Sequence, residues 1–167
     1  MRKMIFLVES SETPCCPVCG QPLVYRDRCT RIQLLEGRER RVYLIRRLKY
    51  PECGRIHREL PDCLVPYKHY ASEVISGVLD ETVTPEDEDS ADYPCEQTMC
   101  RWKQWLETNR LRVDGYLRSI GYRLLGFGPE LLNSCVSLLE EIRGSVSEWL
   151  ETVLKIIYNS GGFLVPS

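Results

Sequence analysis

The sequence predicts an α+β fold: a small β module over residues 1–66, followed by an all-helical domain of about five helices over residues 67–160. Three observations carry this expectation. Apolar residues alternate with polar ones up to about Leu48, then recur at helical spacing from Tyr70 onward. Pro61 and Pro66 mark an extended crossover between the two regimes. Two short Cys-Gly turns bracket the alternating stretch, as though closing it off.

The β elements come first. Residues 4–8 and 22–25 read as short strands. From Thr30 to Leu48 a hairpin is expected, with Ile32, Leu34, Val42 and Leu44 alternating and Glu36-Gly37-Arg38 at the turn. Beyond the crossover, Tyr70, Ala71, Val74, Ile75, Val78 and Leu79 make one apolar helix face. Thr82 to Pro94, with Pro85 and the acidic run Glu86-Asp87-Glu88-Asp89, reads as an exposed loop. A second helix is expected over Glu96–Thr108, burying Met99, Trp102 and Leu106. A third carries Val113, Tyr116, Leu117, Ile120 and Leu124. Gly126 to Pro129 breaks the chain, with Pro129 suited to the first turn of a fourth helix. That helix is lined by Leu131, Leu132, Cys135, Leu138, Leu139 and Ile142, making Cys135 a small core residue, and Gly144 ends it. Ser145 and Glu148 form a capping-box pattern that opens a fifth helix through Trp149, Leu150, Val153, Leu154 and Ile157.

Composition narrows the function classes. A hydrophobic share of 43% is that of a chain that buries a core. No apolar run approaches the roughly 20 residues of a membrane helix. The opening Met-Arg-Lys-Met-Ile-Phe-Leu-Val imitates a signal peptide, but its apolar stretch stops at Glu9, so a first strand and a cytoplasmic location are expected. No membrane partner and no small-molecule substrate is evident. The charge is polarised: residues 1–70 hold 14 Lys and Arg against 8 Asp and Glu, whereas residues 71–167 hold 8 against 16. The basic charge is densest from Arg26 to Arg58, which points to a polyanionic partner. The histidines number only two, and no His-Glu-x-x-His, Gly-x-Ser-x-Gly or phosphate-binding glycine loop is present, so no enzymatic activity is expected.

Nine cysteines in a cytosolic chain suggest metal binding. Cys16-Pro17-Val18-Cys19-Gly20 is the turn that presents two thiolates to one metal, with Gly20 relieving the backbone as it folds back. Tyr50-Pro51-Glu52-Cys53-Gly54 repeats it with tyrosine in place of the first cysteine. Two such knuckles separated by a β-hairpin are the plan of a zinc ribbon, so the first module is expected to be zinc-ribbon-like. Structural zinc takes four Cys or His ligands in a tetrahedral array. Cys16, Cys19 and Cys53 supply three. His57 is the favoured fourth, with Cys29, Cys63 and Cys15 as alternatives.

The segment from Arg46 through Tyr50-Pro51-Glu52-Cys53-Gly54-Arg55-Ile56-His57-Arg58-Glu59-Leu60-Pro61 to Tyr70 resembles an uncharacterised bacterial zinc-ribbon family. Its members are similar to the N-terminal zinc-binding and helix-turn-helix region of insertion-sequence transposases. Tyr50 stands where that pattern normally carries cysteine. Glu96-Gln97-Thr98-Met99-Cys100-Arg101-Trp102-Lys103 is similar to the recognition helices of such transposases, although the loop before it exceeds the usual turn of about 3–4 residues. The resemblance implies DNA as the partner. Arg38, Arg40, Arg41, Arg46 and Arg47 on the hairpin would contact DNA, as would Thr98, Arg101 and Lys103 on the helix. A transposase nuclease would need three carboxylates on a mixed sheet, whereas the second half reads as helices. The expectation is therefore a transposase-like accessory or remnant without the nuclease domain. The alternative is a protein-interaction adaptor that uses the acidic helical half.

Overall fold

The hairpin is built where the alternating pattern is strongest. Gly37 takes φ 69°, the left-handed conformation that costs glycine least, inside a tight turn over Glu36–Arg38. It joins β2 (Val24–Leu34) to β3 (Arg40–Lys49) in antiparallel register from Leu34 opposite Arg40 to Val24 opposite Lys49. β1 (Ile5–Leu7) lies parallel to β3, and β4 (Ile56–Arg58) lies antiparallel to it. β3 is thus the central strand, with β2 on one side and β1 and β4 sharing the other. The computed structural model describes residues 4–11, 13–52, 54–86, 93–124, 126 and 128–166, without the side chains of Arg38, Leu124 and Leu131.

Two strand expectations change. Val24 and Tyr25 are not a separate strand, because a bulge between Tyr25 and Asp27 lets β2 continue through them as one 11-residue strand. β4 has no alternating run of its own. It forms because the second knuckle turns the chain back onto β3, with His57 opposite Leu48.

The helical half follows as α1 (Ser72–Leu79), α2 (Glu96–Leu124), α3 (Pro129–Asn133), α4 (Leu138–Ser145) and α5 (Trp149–Asn159). Among the described residues that gives four helices of eight residues or more and a single five-residue turn, not five comparable helices. The second and third expected helices are one 29-residue helix. The mid-helix Asn109 does not interrupt it, because its amide bonds Trp105 O and Val165 O and accepts from Val165 N. The fourth is split after Asn133: Ser137 caps a new start at the Glu140 amide, and Asp114 of α2 accepts from the Leu139 amide. Cys135 falls in this link and is exposed, not a core residue. The Ser145–Glu148 capping box does not form, since Ser145 bonds back to Glu141 O and α5 starts without a side-chain cap. Most of the acidic run after Glu86 lies outside the described residues.

One apolar core gathers Val74, Ile75, Val78, Met99, Trp102, Trp105, Trp149, Val153 and Ile157 between the helices. A smaller one sets Tyr43, Ile45 and Leu64 between the sheet and the crossover. The crossover is tied to the sheet by hydrogen bonds: Gln33 donates to Cys63 O, Arg31 to Lys68 O, and the Leu34 and Ala71 amides reach across the strand end. No helix of the described residues is long and apolar enough to cross a membrane.

Candidate metal centre and nucleic-acid interface

The two knuckles fold alike. The Gly20 amide donates to Cys16 O at 2.7 Å, and the Gly54 amide donates to Tyr50 O at 3.1 Å. Both glycines have positive φ, 72° and 66°, which the reversal requires. The first knuckle is held at the base of a small loop by Cys16 N to Gln21 O and Leu23 N to Pro14 O. That pairing buries Cys16 to 1% exposure and leaves Cys19 exposed.

β4 then brings the distant ligand in. His57 Nε2 lies 3.4 Å from Cys16 Sγ, across 41 residues of sequence. A tetrahedral zinc, with Zn–S about 2.3 Å and Zn–N about 2.0–2.1 Å, sets a sulfur–nitrogen edge of roughly 3.5 Å. The observed separation suits that edge. Burial, and then the charge of Arg55, hold the imidazole below its ordinary pKa, favouring the neutral ring that binds metal. Cys53 lies outside the described residues. Among the described ones, no group of three or more metal-ligating side chains is gathered. The alternative fourth ligands sit elsewhere: Cys63 Sγ contacts the Tyr43 hydroxyl at 3.7 Å, Cys29 packs against the smaller core, and Cys15 Sγ faces Thr13 O.

The eight residues expected at a nucleic-acid interface divide into groups. Alternation along β3 puts Arg41 and Arg47 on the face covered by the crossover, and Arg40 and Arg46 on the other. Arg46 makes two bonds to Glu59, at 2.6 and 2.7 Å, and Arg47 makes two to Asp27, both at 2.5 Å. The Arg47 guanidinium holds the Asp27 carboxyl below its usual range. Arg41 pairs with Glu39 at 3.2 Å, and Lys103 with Glu81 at 3.0 Å. Arg40 is exposed at the hairpin tip, and the Arg38 side chain lies outside the description. Thr98 is half-buried in the first turn of α2, its hydroxyl 3.4 Å from Cys95 Sγ. Arg101 is exposed, while Trp102 beside it is buried edge-on against Tyr70 at 5.2 Å.

Periodicity sets Arg101 among three residues that the motif does not name as contacts, Gln97, Gln104 and Thr108. Gln97, Arg101, Gln104 and Thr108 recur at helical spacing and are all exposed, opposite the buried Met99, Trp102 and Trp105. The hairpin tip adjoins this half of α2, because Tyr70 bridges to Leu34 on one side and packs on Trp102 on the other. Arg46 and Arg47 stand about 20 Å further along β3, at roughly 3.3 Å per residue.

No curated protein and no solved structure matches the chain. A family model, described as a domain of unknown function (DUF6431), matches residues 16–102, from the first knuckle to the buried tryptophan of α2. Over that half of its length, the chain belongs to the DUF6431 family.

Proposed function

We propose that the chain is a DNA-binding protein related to mobile elements, a transposase-like accessory or remnant whose second half is helical where a nuclease sheet would stand. The observation that carries this is the outward stripe of α2. Gln97, Arg101, Gln104 and Thr108 are all hydrogen-bonding side chains that reach base edges or phosphates, on a helix whose opposite face is anchored by tryptophans. The relation to mobile elements rests on the resemblance of residues 46–70. A zinc ion held by Cys16, Cys19, Cys53 and His57 would be structural, tying both knuckles to β4 and stiffening the sheet beside the helix. The hairpin tip, with Arg40, would add backbone contacts that carry no sequence information.

The test is duplex selection followed by anisotropy titration. Arg101→Ala and Gln104→Ala should each cost about 1–3 kcal/mol on the selected duplex and less on a random one. Arg46→Ala, which removes a cation already satisfied by Glu59, should leave duplex affinity nearly unchanged. A double α2 variant that binds the selected duplex as well as the parent would remove the recognition role from this helix.

A further inference from the structure

A cavity of about 820 Å³ forms a cleft between the first knuckle, the β4–crossover segment and α5. His57 of the candidate metal centre forms part of its wall, and the α2 stripe takes no part in it. Its size and its mixture of apolar and polar walls are those of a small-molecule site. Leu60, Leu64 and Leu154 contribute apolar wall, and Tyr67 and Tyr158 contribute rings.

The charge arrangement is what specifies a ligand. Register sets Arg58 directly opposite Arg47, on the same sheet face as Arg31, and all three line the cleft. Like charges opposite each other in a sheet repel unless something lies between them. Asp27 neutralises Arg47. The three carboxylates of the cleft wall are each engaged already: Glu59 with Arg46, Asp62 with Lys155, and Glu151 with the Ser72 hydroxyl. Among the described residues, Arg58 has no carboxylate partner. Arg31 spends one terminal nitrogen on Val65 O and Lys68 O, while its Nε is the one buried side-chain nitrogen or oxygen without a hydrogen bond among the described residues. Desolvation, and then the charge of Arg58, lower the Arg31 pKa. A buried donor left unmatched, in a cleft that also holds a guanidinium without a carboxylate partner, is a pre-formed anion site.

Tyr67 marks the same place from the backbone. It holds φ 64°, a conformation rare for a ring-bearing residue, and its side chain is 71% exposed on the cleft rim. Strained residues of this kind cluster where a ligand is clamped.

We propose that this cleft binds a small organic anion, its phosphate or carboxylate group held between Arg31 and Arg58 and its apolar or aromatic body lying against Tyr67. The site does not depend on the DNA-binding role. The arginine Nε–Hε resonances of the full-length protein provide the readout, with phenyl phosphate, benzoate, inorganic phosphate and phenol as probes. Phenyl phosphate or benzoate should move the Arg31 resonance and raise the melting temperature, whereas phenol, lacking the charge, should do neither. Inorganic phosphate, lacking the body, should bind more weakly than phenyl phosphate. Arg58→Gln, on an exposed edge strand, should weaken binding about tenfold or more without lowering the melting temperature of the free protein. Tyr67→Gly, which keeps the backbone conformation, should weaken phenyl phosphate but not inorganic phosphate. A duplex that competes phenyl phosphate out identifies the nucleic-acid backbone as the source of the phosphate, and one that does not identifies a free small molecule. An Arg31 resonance unmoved by millimolar phenyl phosphate and benzoate, or an Arg58→Gln variant that binds both like the parent, would overturn the proposal.

Discussion

Lys68 shows how a single buried charge sets a pH dependence. It is 7% exposed, with its ammonium 4.3 Å from the Trp105 ring centroid, and burial pushes its pKa down to about 8 from 10.5. Below pH 8 both folded and unfolded chains carry the proton, so the folded state bears the full cost of the buried charge. Between about 8 and 10.5 the folded state releases the proton first and the cost shrinks, vanishing above that range. The displacement corresponds to roughly 3 kcal/mol, of which the ring contact returns about 1. Lys68→Met should therefore stabilise the protein by about 1–2 kcal/mol at pH 7. Urea titrations at several pH values should show the gap between variant and parent closing as pH approaches 10. Asn109 is the converse case, a fully buried amide whose partners are all in place. Asn109→Ala leaves the Val165 amide and carbonyl unmatched and should cost about 2–3 kcal/mol in the same assay.

At the scale of elements, the signals that were local in sequence are the ones the fold keeps. Alternation around Ile32 and Val42, with Gly37 at the turn, is enough for the hairpin. The glycine that ends each knuckle is enough for its reversal. What escaped was decided by distant partners. The two helices expected on either side of Asn109 run on as one with its amide satisfied by Trp105 and Val165, and the break after Asn133 looks helical until Asp114 and Ser137 offer α4 a better start. β4 is three residues long and exists only as a partner for β3. The Cys16–His57 contact was legible as a pairing of residue types, but its 3.4 Å geometry needed that strand. The cleft was not legible at all, since its walls come from segments more than 80 residues apart. The knuckles carry their own test: elemental analysis of chelator-free protein should find about one zinc per chain. Cys16→Ser or Cys19→Ser should lose the metal and destabilise the sheet, because structural zinc contributes folding free energy directly. Tyr50→Cys, completing the second knuckle, should tighten binding. A fully folded parent without metal would contradict a structural zinc.

At the scale of the whole molecule the charge map is more restrained than the sequence suggests. The basic first half spends Arg28, Arg41, Arg46 and Arg47 on its own carboxylates. A duplex would therefore meet a limited cationic surface, at the hairpin tip and along the exposed stripe of α2. Few phosphate contacts imply a moderate salt dependence, each contributing about 0.9 to the slope of log affinity against log salt. The acidic residues of the second half that lie off the α2 stripe would face away from the duplex. The measurement that bears most directly on the DNA-binding role is duplex affinity at about 50 and 200 mM salt for the parent, Arg40→Ala and Arg101→Ala. The expected result is binding that weakens with salt and a slope about one unit shallower in each variant that loses a phosphate contact. A parent that binds no duplex at the lower salt, or variants whose slope and affinity equal the parent's, would contradict it.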